Sequence, residues 1–272
     1  MSNKNNIFIL STGRTGTKFF ADILNEKKGI YAVHEPKPSR RLRFWTIQYL
    51  QGGVSEKKME NIFLRFRGKL LTNREEEFYV ESNNFLSGFT SAIYSILDDP
   101  LIIHIVRDPR DFVRSLINHG NDEGIKGFAN NFLPNAFISK DNIKCSVDLT
   151  NREDYLIARA ATYWKLVNEN IEGSSRGQTN YRIFKFEDLF YGDNETLRSA
   201  LKLMGLKKPT GKDLKLKSKK SNKSRLNVLQ RWDSWTDRQA TIVDDICRDY
   251  MSKFGYGTEA SWMDKIKDFQ NE

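Results

Sequence analysis

Short runs of mainly apolar residues recur at wide intervals along this sequence of 272 residues, and few folds are open to such a chain. Mainly apolar strands are typical of a parallel sheet with both faces buried. Four runs have this character, and a fifth is weaker: Ile7–Leu10, Ile30–Val33, Leu101–Val106 and Tyr181–Phe186, with Phe78–Val80 as the weaker one. Helical patterns follow two of them, at Thr17–Asn25 and Pro109–Asn118. This alternation predicts a single α/β domain over residues 1–272, with a central parallel sheet flanked by helices on both faces.

Two long helical patterns lie in the second half of the chain. They predict helices at Asp154–Ile171 and at Trp235–Phe254, the latter ended by Gly255-Tyr256-Gly257. The segments 37–77 and 120–150 are longer than ordinary connections between strands. Because such loops overhang the carboxyl ends of the strands in an open α/β sheet, we predict that these two insertions bind a substrate or act as lids. Residues 258–272 are predicted to form a C-terminal tail.

Composition excludes several classes of protein. Hydrophobic residues make up 39% and aromatic residues 12% of the chain, which excludes a mainly disordered protein. Two cysteines, Cys145 and Cys247, exclude a disulfide framework and an all-cysteine zinc site. The three histidines (His34, His104 and His119) leave few ligands for zinc, so no metal site is predicted.

The beginning of the chain does not read as a targeting segment. Its first apolar run, Ile7–Leu10, has four residues, whereas a signal peptide needs at least about seven. No stretch approaches the roughly 18 apolar residues of a membrane span. We therefore expect a cytoplasmic protein without a membrane span.

Positive charge is concentrated in one segment. Residues 207–225 hold nine of the 44 basic residues and one of the 35 acidic residues, so the rest of the chain is nearly neutral. A stretch of one sign repels itself unless it is solvated or meets an anion. A solvated loop, nucleic acid and a phosphorylated small molecule all fit this segment.

A glycine-rich turn follows the first apolar run directly. It reads Ser11-Thr-Gly-Arg-Thr-Gly-Thr-Lys18, with a helical pattern after it. A strand, a glycine-rich turn and a helix together aim backbone N–H groups at a phosphate. Gly13 and Gly16 allow close approach, Thr12, Thr15 and Thr17 offer hydroxyls, and Arg14 and Lys18 supply charge. An ordinary βα turn is the plainer alternative.

The spacing within this turn does not match a Walker A loop. That motif has four residues between its glycines and a Ser or Thr after the lysine. Here two residues separate Gly13 from Gly16, and Phe19 follows Lys18. A metal-dependent kinase or NTPase therefore remains only as an alternative.

The turn resembles the 5′-phosphosulfate loop of sulfotransferases that use 3′-phosphoadenosine 5′-phosphosulfate (PAPS), whose usual form is Gly-x-x-Arg-Ser-Gly-Thr-Thr. A second element, His104-Ile-Val-Arg-Asp-Pro-Arg-Asp-Phe-Val-Arg-Ser115, resembles the 3′-phosphate element of that family. Segments 181–206 and 231–256 are similar to the family's later packing motifs, the last to its carbohydrate- and tyrosine-sulfating branch. The resemblance implies a P-loop NTPase-like fold, with PAPS as donor and no metal. Lys18 departs from the pattern, because the family has a threonine there.

The resemblance also implies roles for individual residues. Arg107 and Ser115 would bind the 3′-phosphate, and Lys223 and Arg225, in the late basic segment, would assist them. The loop, residues 12–18, would bind the 5′-phosphosulfate. Arg14 would stabilise the phosphate that leaves, or would only anchor it. Such a cation acts most strongly where charge develops in the transition state.

An acceptor hydroxyl also needs a base within hydrogen-bonding reach. His34-Glu35-Pro36 ends the second predicted strand, which we expect next to the loop, and relatives carry a glutamate base there. Glu35 is the first candidate and His34 the second, with a purely structural role as the alternative. Glu81 is a further candidate base or acceptor-binding group, and Asn83 and Asn84 have side chains suited to a sugar or another polyol.

The sequence therefore predicts a sulfotransferase acting on a hydroxyl or amine of a glycan, lipid or small molecule. A non-catalytic nucleic-acid-binding module that uses residues 207–225 is a second alternative, although a lysine run without interleaved aromatics supports only non-specific attraction. No specific nucleic acid is expected as a partner. Neither the acceptor nor the oligomeric state follows from the sequence.

Overall fold

The sheet has five parallel strands in the order β2-β3-β1-β4-β5. A computed structural model describes residues 5–72, 74–119, 138–206, 209–211 and 226–270 of the chain. The strands are β1 (Asn5–Ser11), β2 (Ile30–His34), β3 (Phe78–Ser82), β4 (Leu101–Val106) and β5 (Tyr181–Lys185). All five coincide with the apolar runs of the sequence, so the predicted parallel α/β sheet is confirmed.

Helices fill the connections between the strands. In chain order the α-helices are α1 (Lys18–Leu24), α2 (Ser39–Leu50), α3 (Glu56–Thr72), α4 (Thr90–Ile96), α5 (Pro109–Ile117), α6 (Arg152–Ser174), α7 (Phe186–Phe190), α8 (Asn194–Leu203), α9 (Asp237–Lys253) and α10 (Ala260–Gln270). Short 3-10 helices occupy Asn84–Phe89, Lys140–Asn142 and Trp232–Ser234. The four helices predicted at 17–25, 109–118, 154–171 and 235–254 are confirmed to within about three residues at each end.

Contacts group the chain into two compact units. The first, unit 1, comprises Met1–Val106 and Val167–Asn222, and the second, unit 2, comprises Arg107–Leu166 and Lys223–Glu272. Unit 1 contains all five strands.

Helices of unit 1 cover both faces of its sheet. Side chains alternate between the two faces of a strand, and Ile7 and Ile9 of β1 pack in one core cluster with Phe20 of α1 and Leu201 of α8. On the opposite face the ring of Phe8 lies 6.1 Å from that of Phe63 in α3, edge to face. Burial on both sides explains why Ile7–Leu10 of β1 has no polar alternation.

Unit 2 is organised around aromatic side chains. Trp262 of α10 is fully buried, and its indole N–H donates to Asp244 of α9 at 3.1 Å. Its ring lies 5.7 Å from that of Trp232. The segment 258–272, predicted as a tail, thus contains a packed helix, because Trp262 and Ile266 bury their side chains in this unit.

Local signals explain where α9 begins and ends. Thr236 and Gln239 form a reciprocal capping box at its start. After Lys253 the chain turns at Gly255 and Gly257, both with positive φ, as the sequence predicted.

None of the helices in the described ranges combines the length and the apolar composition that crossing a bilayer requires.

Candidate functional site

The loop between β1 and α1 has an unusual backbone. Gly13, Arg14 and Gly16 all have positive φ, at 84°, 57° and 67°. Successive left-handed and right-handed residues turn backbone N–H groups toward one side, which makes a concavity suited to an anion. Inside the loop, the buried hydroxyl of Ser11 accepts from the N–H of Gly13 at 3.0 Å and from the hydroxyl of Thr15 at 2.7 Å. These bonds hold the loop in its curved form.

Both glycines of the loop lie against other side chains. A Cβ on Gly13 would come 2.9 Å from Nδ2 of Asn84, and a Cβ on Gly16 would come 2.9 Å from the ring of Phe190. Positive φ already disfavours any other residue at these positions. Glycine is therefore required twice over, for conformation and for space.

The charged side chains of the loop are not buried. Lys18 donates from Nζ to both carboxylate oxygens of Asp22, at 2.5 and 2.6 Å, and both side chains are exposed. An exposed pair of this kind contributes little free energy, so an arriving phosphate can compete for Lys18. Thr12, Thr15 and Thr17 are buried beneath the loop.

His34 and Glu35 lie together at the end of β2. Nδ1 of His34 is 2.8 Å from Oγ of Ser82 and 3.1 Å from its carbonyl oxygen, and Nε2 is 3.9 Å from Oε1 of Glu35. Because a carbonyl only accepts, the proton of a neutral His34 is assigned to Nδ1, which leaves the lone pair of Nε2 on the side of Glu35. Glu35 itself has a φ of 44°, a strained value for a residue with a side chain.

The surroundings shift the pKa of both side chains. Burial raises the pKa of Glu35, and the negative charge of Glu81 raises it further. Burial is also the main reason why the pKa of His34 is lowered, and the charge of Lys18 lowers it more, while the bond to Ser82 opposes the change. Titratable side chains whose pKa values are shifted by burial and by nearby charges concentrate at functional sites.

The expected position of this pair next to the loop is wrong. Strand β3 lies between β2 and β1, with Ser82 opposite both His34 and Ile9. His34 is therefore two strand spacings, roughly 10 Å, from the end of β1. The sequence suggested adjacency because the weak run at 78–80 carried no information about which strands pair.

Three of the predicted site residues lie at the end of β3 or just after it: Glu81, Asn83 and Asn84. The side chain of Asn84 lies next to Gly13 of the loop. Glu81 is fully buried and accepts from Arg67, from the hydroxyl of Tyr79 at 2.6 Å and from Nδ2 of Asn83 at 2.8 Å. Asn83 is also fully buried and caps the next helix by accepting from the N–H of Phe85. Glu81 and Asn83 thus use these polar atoms within the fold, and their predicted role toward an acceptor stays a prediction.

The other predicted phosphate ligands belong to unit 2. Arg107 follows the last residue of β4 in the chain, and its carbonyl oxygen accepts from the indole N–H of Trp164 at 2.8 Å. Ser115 lies on α5. Asp108 caps the start of this helix, because its carboxylate accepts from the N–H of Arg110 at 2.8 Å, and Pro109 lies in the first turn.

The side chain of Arg110, also on α5, makes its contacts within the fold of unit 2. Its guanidinium pairs with Asp108 and with both carboxylate oxygens of Glu259, and it stacks 4.3 Å from the ring of Trp232.

The end of α5 also anchors the chain after the basic segment. Oδ1 of Asn118 accepts from the N–H groups of Val228 and Leu229, and its Nδ2 donates to the carbonyl of Leu229. The N–H of Leu226 donates to the Asn118 carbonyl. Lys223 and Arg225 lie outside the described residues.

Two solved structures share this architecture. The sulfotransferase domain from the curacin biosynthetic pathway aligns over 98% of this chain and 98% of its own, with a TM-score of 0.51 at 11% identity. A sulfotransferase from Alicyclobacillus acidocaldarius aligns over 96% of this chain and 100% of its own, with a TM-score of 0.51 at 12% identity. The chain has the fold of these sulfotransferases. No protein-family model matches it, and no curated protein does.

The fold likeness extends over nearly the whole chain, both units included. At such low identity it establishes the fold and leaves the chemistry to be argued from the residues of the site. Among the residues that the structure describes, no three His, Cys, Asp or Glu side chains converge in a way that would hold a metal ion.

One residue that the sequence analysis did not single out is central to the candidate site. Arg67 of α3 is fully buried and pairs with Glu81. The sequence did contain a signal for the burial of Arg67. This residue lies on the buried stripe of α3 at a spacing of four residues, with Met59, Phe63 and Leu71. A charged residue on an apolar stripe requires a partner inside the protein.

Proposed function

We propose that this chain is a sulfotransferase that uses PAPS as its donor. The observation that carries the proposal is the loop at residues 11–18, whose left-handed residues, close-packed glycines and partly exposed cations suit an anionic ligand, on a fold shared with sulfotransferase domains. The acceptor would be a hydroxyl or an amine of a glycan, a lipid or a small molecule. No metal is required for this chemistry.

In this proposal the two phosphate-bearing ends of the donor meet different elements. Backbone N–H groups of residues 14–17, with Arg14 and Lys18, bind the 5′-phosphosulfate. Arg107 and Ser115 bind the 3′-phosphate, which a guanidinium and a hydroxyl are both suited to contact. Lys223 and Arg225 add charge to the 3′-phosphate, as the sequence resemblance implies.

The transfer itself is a displacement at sulfur. The acceptor oxygen or nitrogen forms a bond to sulfur while the bond between sulfur and the phosphate oxygen breaks, and adenosine 3′,5′-bisphosphate leaves. By analogy with phosphoryl transfer, the protein acts mainly by positioning the reactants and stabilising charge. Arg14 stabilises the negative charge that develops on the phosphate oxygen.

The acceptor proton goes to Glu35 in the preferred version of the mechanism. Its raised pKa brings the carboxylate nearer to the range in which a general base is effective at neutral pH. His34 is the second candidate, since the lone pair of Nε2 faces Glu35 when the ring is neutral. Asn84, which packs against Gly13, is the candidate to contact the acceptor from β3.

The alternatives predict different ligands. A metal-dependent P-loop kinase or NTPase would bind ATP with Mg²⁺, yet Phe19 occupies the place where such proteins have the hydroxyl that binds the metal. A nucleic-acid-binding module would retain salt-sensitive DNA binding in an Arg14→Ala/Arg107→Ala double variant. The likeness to the carbohydrate- and tyrosine-sulfating branch remains a prediction from the sequence.

The deciding experiment is a transfer assay with ³⁵S-labelled PAPS, without added metal, against a panel of glycan, lipid and phenolic acceptors. We expect labelled product from the wild-type chain and a rate roughly 100-fold lower in Arg14→Ala. Arg176→Ala, which changes an exposed arginine after α6, is the matched control and keeps the wild-type rate. Absence of transfer to every acceptor, or a strict need for Mg²⁺ and ATP, would overturn the proposal.

A further inference from the structure

A buried ion pair lies directly behind the turn that carries Glu35. The guanidinium of Arg67 donates from Nε to Oε1 and Oε2 of Glu81 at 3.0 and 2.8 Å, and from Nη2 to Oε1 at 2.8 Å. Both side chains are fully buried. Since Tyr79 and Asn83 donate to the same carboxylate, the position of the guanidinium is set by several bonds at once.

The same guanidinium reaches the turn itself. Nη2 of Arg67 donates to the carbonyl oxygen of Pro36 at 3.1 Å, and the hydroxyl of Ser39 donates to that oxygen at 2.8 Å. On the other side of Glu35, its own N–H donates to the carbonyl of Ser82 at 3.0 Å. The strained residue is thus fixed at both ends, one by β3 and the other by Arg67.

We infer that Arg67, held by Glu81, is a positioning residue that keeps the turn at residues 34–36 in the conformation that presents Glu35 to the acceptor. The inference rests on the proposed function for its catalytic meaning. It assigns to α3, within the insertion at residues 37–77, a role in shaping the site from inside the protein.

Energetics favour this interpretation over a purely stabilising pair. A buried ion pair is often no more stabilising than apolar residues of similar size, because desolvation of two charges offsets their attraction. A left-handed glutamate, however, persists only where its surroundings impose that conformation. The bond from Arg67 to Pro36 supplies such a constraint, and an apolar side chain at position 67 would not.

The test uses the full chain and two variants of the pair. In Arg67→Met/Glu81→Gln both charges are removed together, so no buried charge is left alone and the fold is retained. In Arg67→Lys the charge next to Glu81 is kept, but a single ammonium group cannot bond to Glu81 and to Pro36 with the geometry of the fork. Arg65→Lys, two residues away on the same helix and exposed, is the matched control.

Two readouts separate positioning from stability. The first is sulfuryl transfer from PAPS to the best acceptor of the panel, for which we expect kcat to fall about 100-fold in the double variant with KM for PAPS unchanged. The second is the ¹⁵N spectrum of the imidazoles, which is simple because the chain has three histidines. We expect His34 to hold its proton on Nδ1 in the wild type and in Arg65→Lys, and to populate both tautomers once the turn is released.

Wild-type values of kcat or of the His34 tautomer in the double variant would overturn the inference. If the wild-type chain transfers no sulfuryl group at all, the proposed function fails, and the His34 spectrum alone then decides whether Arg67 holds the turn.

Discussion

Two residues at the candidate site have backbone conformations that their side chains disfavour. Among the described residues other than glycine, positive φ occurs at Arg14, Glu35 and Asp99. The first two are the residues that sequence reasoning selected for charge stabilisation and for proton removal. Each such conformation costs about 1–3 kcal/mol unless the surroundings compensate for it. This coincidence strengthens the assignment of both, because strain of this kind concentrates at functional sites.

The proposed base leads to a prediction about activity. Glu35→Gln keeps the size of the side chain but cannot accept the acceptor proton, so kcat should fall while the affinity for adenosine 3′,5′-bisphosphate stays the same. The acid limb of the wild-type pH–rate profile should lie above the ordinary carboxyl pKa of 4.5, since burial raises the pKa of Glu35. Glu26→Gln, at an exposed position, is the control. Full activity of Glu35→Gln would move the base to His34 or Glu81.

The same substitution has an expected effect on stability. Because the pKa of Glu35 is raised, the folded protein binds this proton more tightly than the unfolded chain does, and ionisation at neutral pH destabilises the fold. Glu35→Gln should therefore unfold at a higher temperature than the wild type at pH 7. The difference should shrink as the pH falls through the raised pKa and vanish below 4.5. Calorimetric melting curves over this range would check the sign.

Arg107 leads to a prediction about donor affinity. Arg107→Ala should remove a charge-assisted contact with the 3′-phosphate, worth roughly 1.5–3 kcal/mol, and weaken binding of adenosine 3′,5′-bisphosphate about 10- to 100-fold. Titration calorimetry measures this directly, with Arg176→Ala as the control. Affinity equal to that of the wild type would remove Arg107 from the donor site.

At the scale of elements, the loop between β1 and α1 allows a test that separates strain from position. Gly13 and Gly29 both have φ near 80°, but a Cβ on Gly13 would meet Asn84 at 2.9 Å, whereas a Cβ on Gly29 would meet nothing within 4 Å. Gly29→Ala should therefore cost about 1–2 kcal/mol of stability with no effect on nucleotide affinity.

Gly13→Ala should have a similar cost in stability and should also weaken the binding of adenosine 3′,5′-bisphosphate, because the loop or the side chain of Asn84 must shift to make room for the methyl group. Denaturant unfolding and calorimetry on the same two variants give both quantities. Equal nucleotide affinities in Gly13→Ala and Gly29→Ala would show that the close approach of the loop to Asn84 is not needed for the ligand.

The elements themselves were largely predictable, because each has a strong local signal. The continuous apolar runs marked the strands, and Asp108-Pro109 and the Thr236–Gln239 box marked the starts of α5 and α9. The order of the strands was not predictable in this way. Which strands pair depends on how the apolar surfaces of the strands and helices fit together. The strength of an apolar run does not indicate its neighbours, so the weak run Phe78–Val80 gave no sign that β3 lies between β2 and β1.

For the whole molecule, the proposal predicts stabilisation by a metal-free nucleotide. Adenosine 3′,5′-bisphosphate should raise the melting temperature without Mg²⁺, by the equivalent of about 2.7 kcal/mol at 100 times its Kd, because only the folded chain binds it. ATP with Mg²⁺ at the same concentration should have a smaller effect. The reverse ranking in a thermal-shift assay would favour the kinase or NTPase alternative.

Local sequence was enough to indicate a parallel α/β sheet, a glycine-rich loop after β1 and the segments that resemble PAPS motifs, because these depend on short-range patterns of apolar residues, glycines and charges. It was not enough to show that β3 separates His34 from the loop, that Glu81 is a buried ion-pair partner, or that Arg67 reaches Pro36. Those contacts join residues that are 14 to 48 positions apart. They form only once the sheet has assembled. The tertiary structure determines which charged side chains are buried, and a buried charge needs a partner whatever its distance along the sequence.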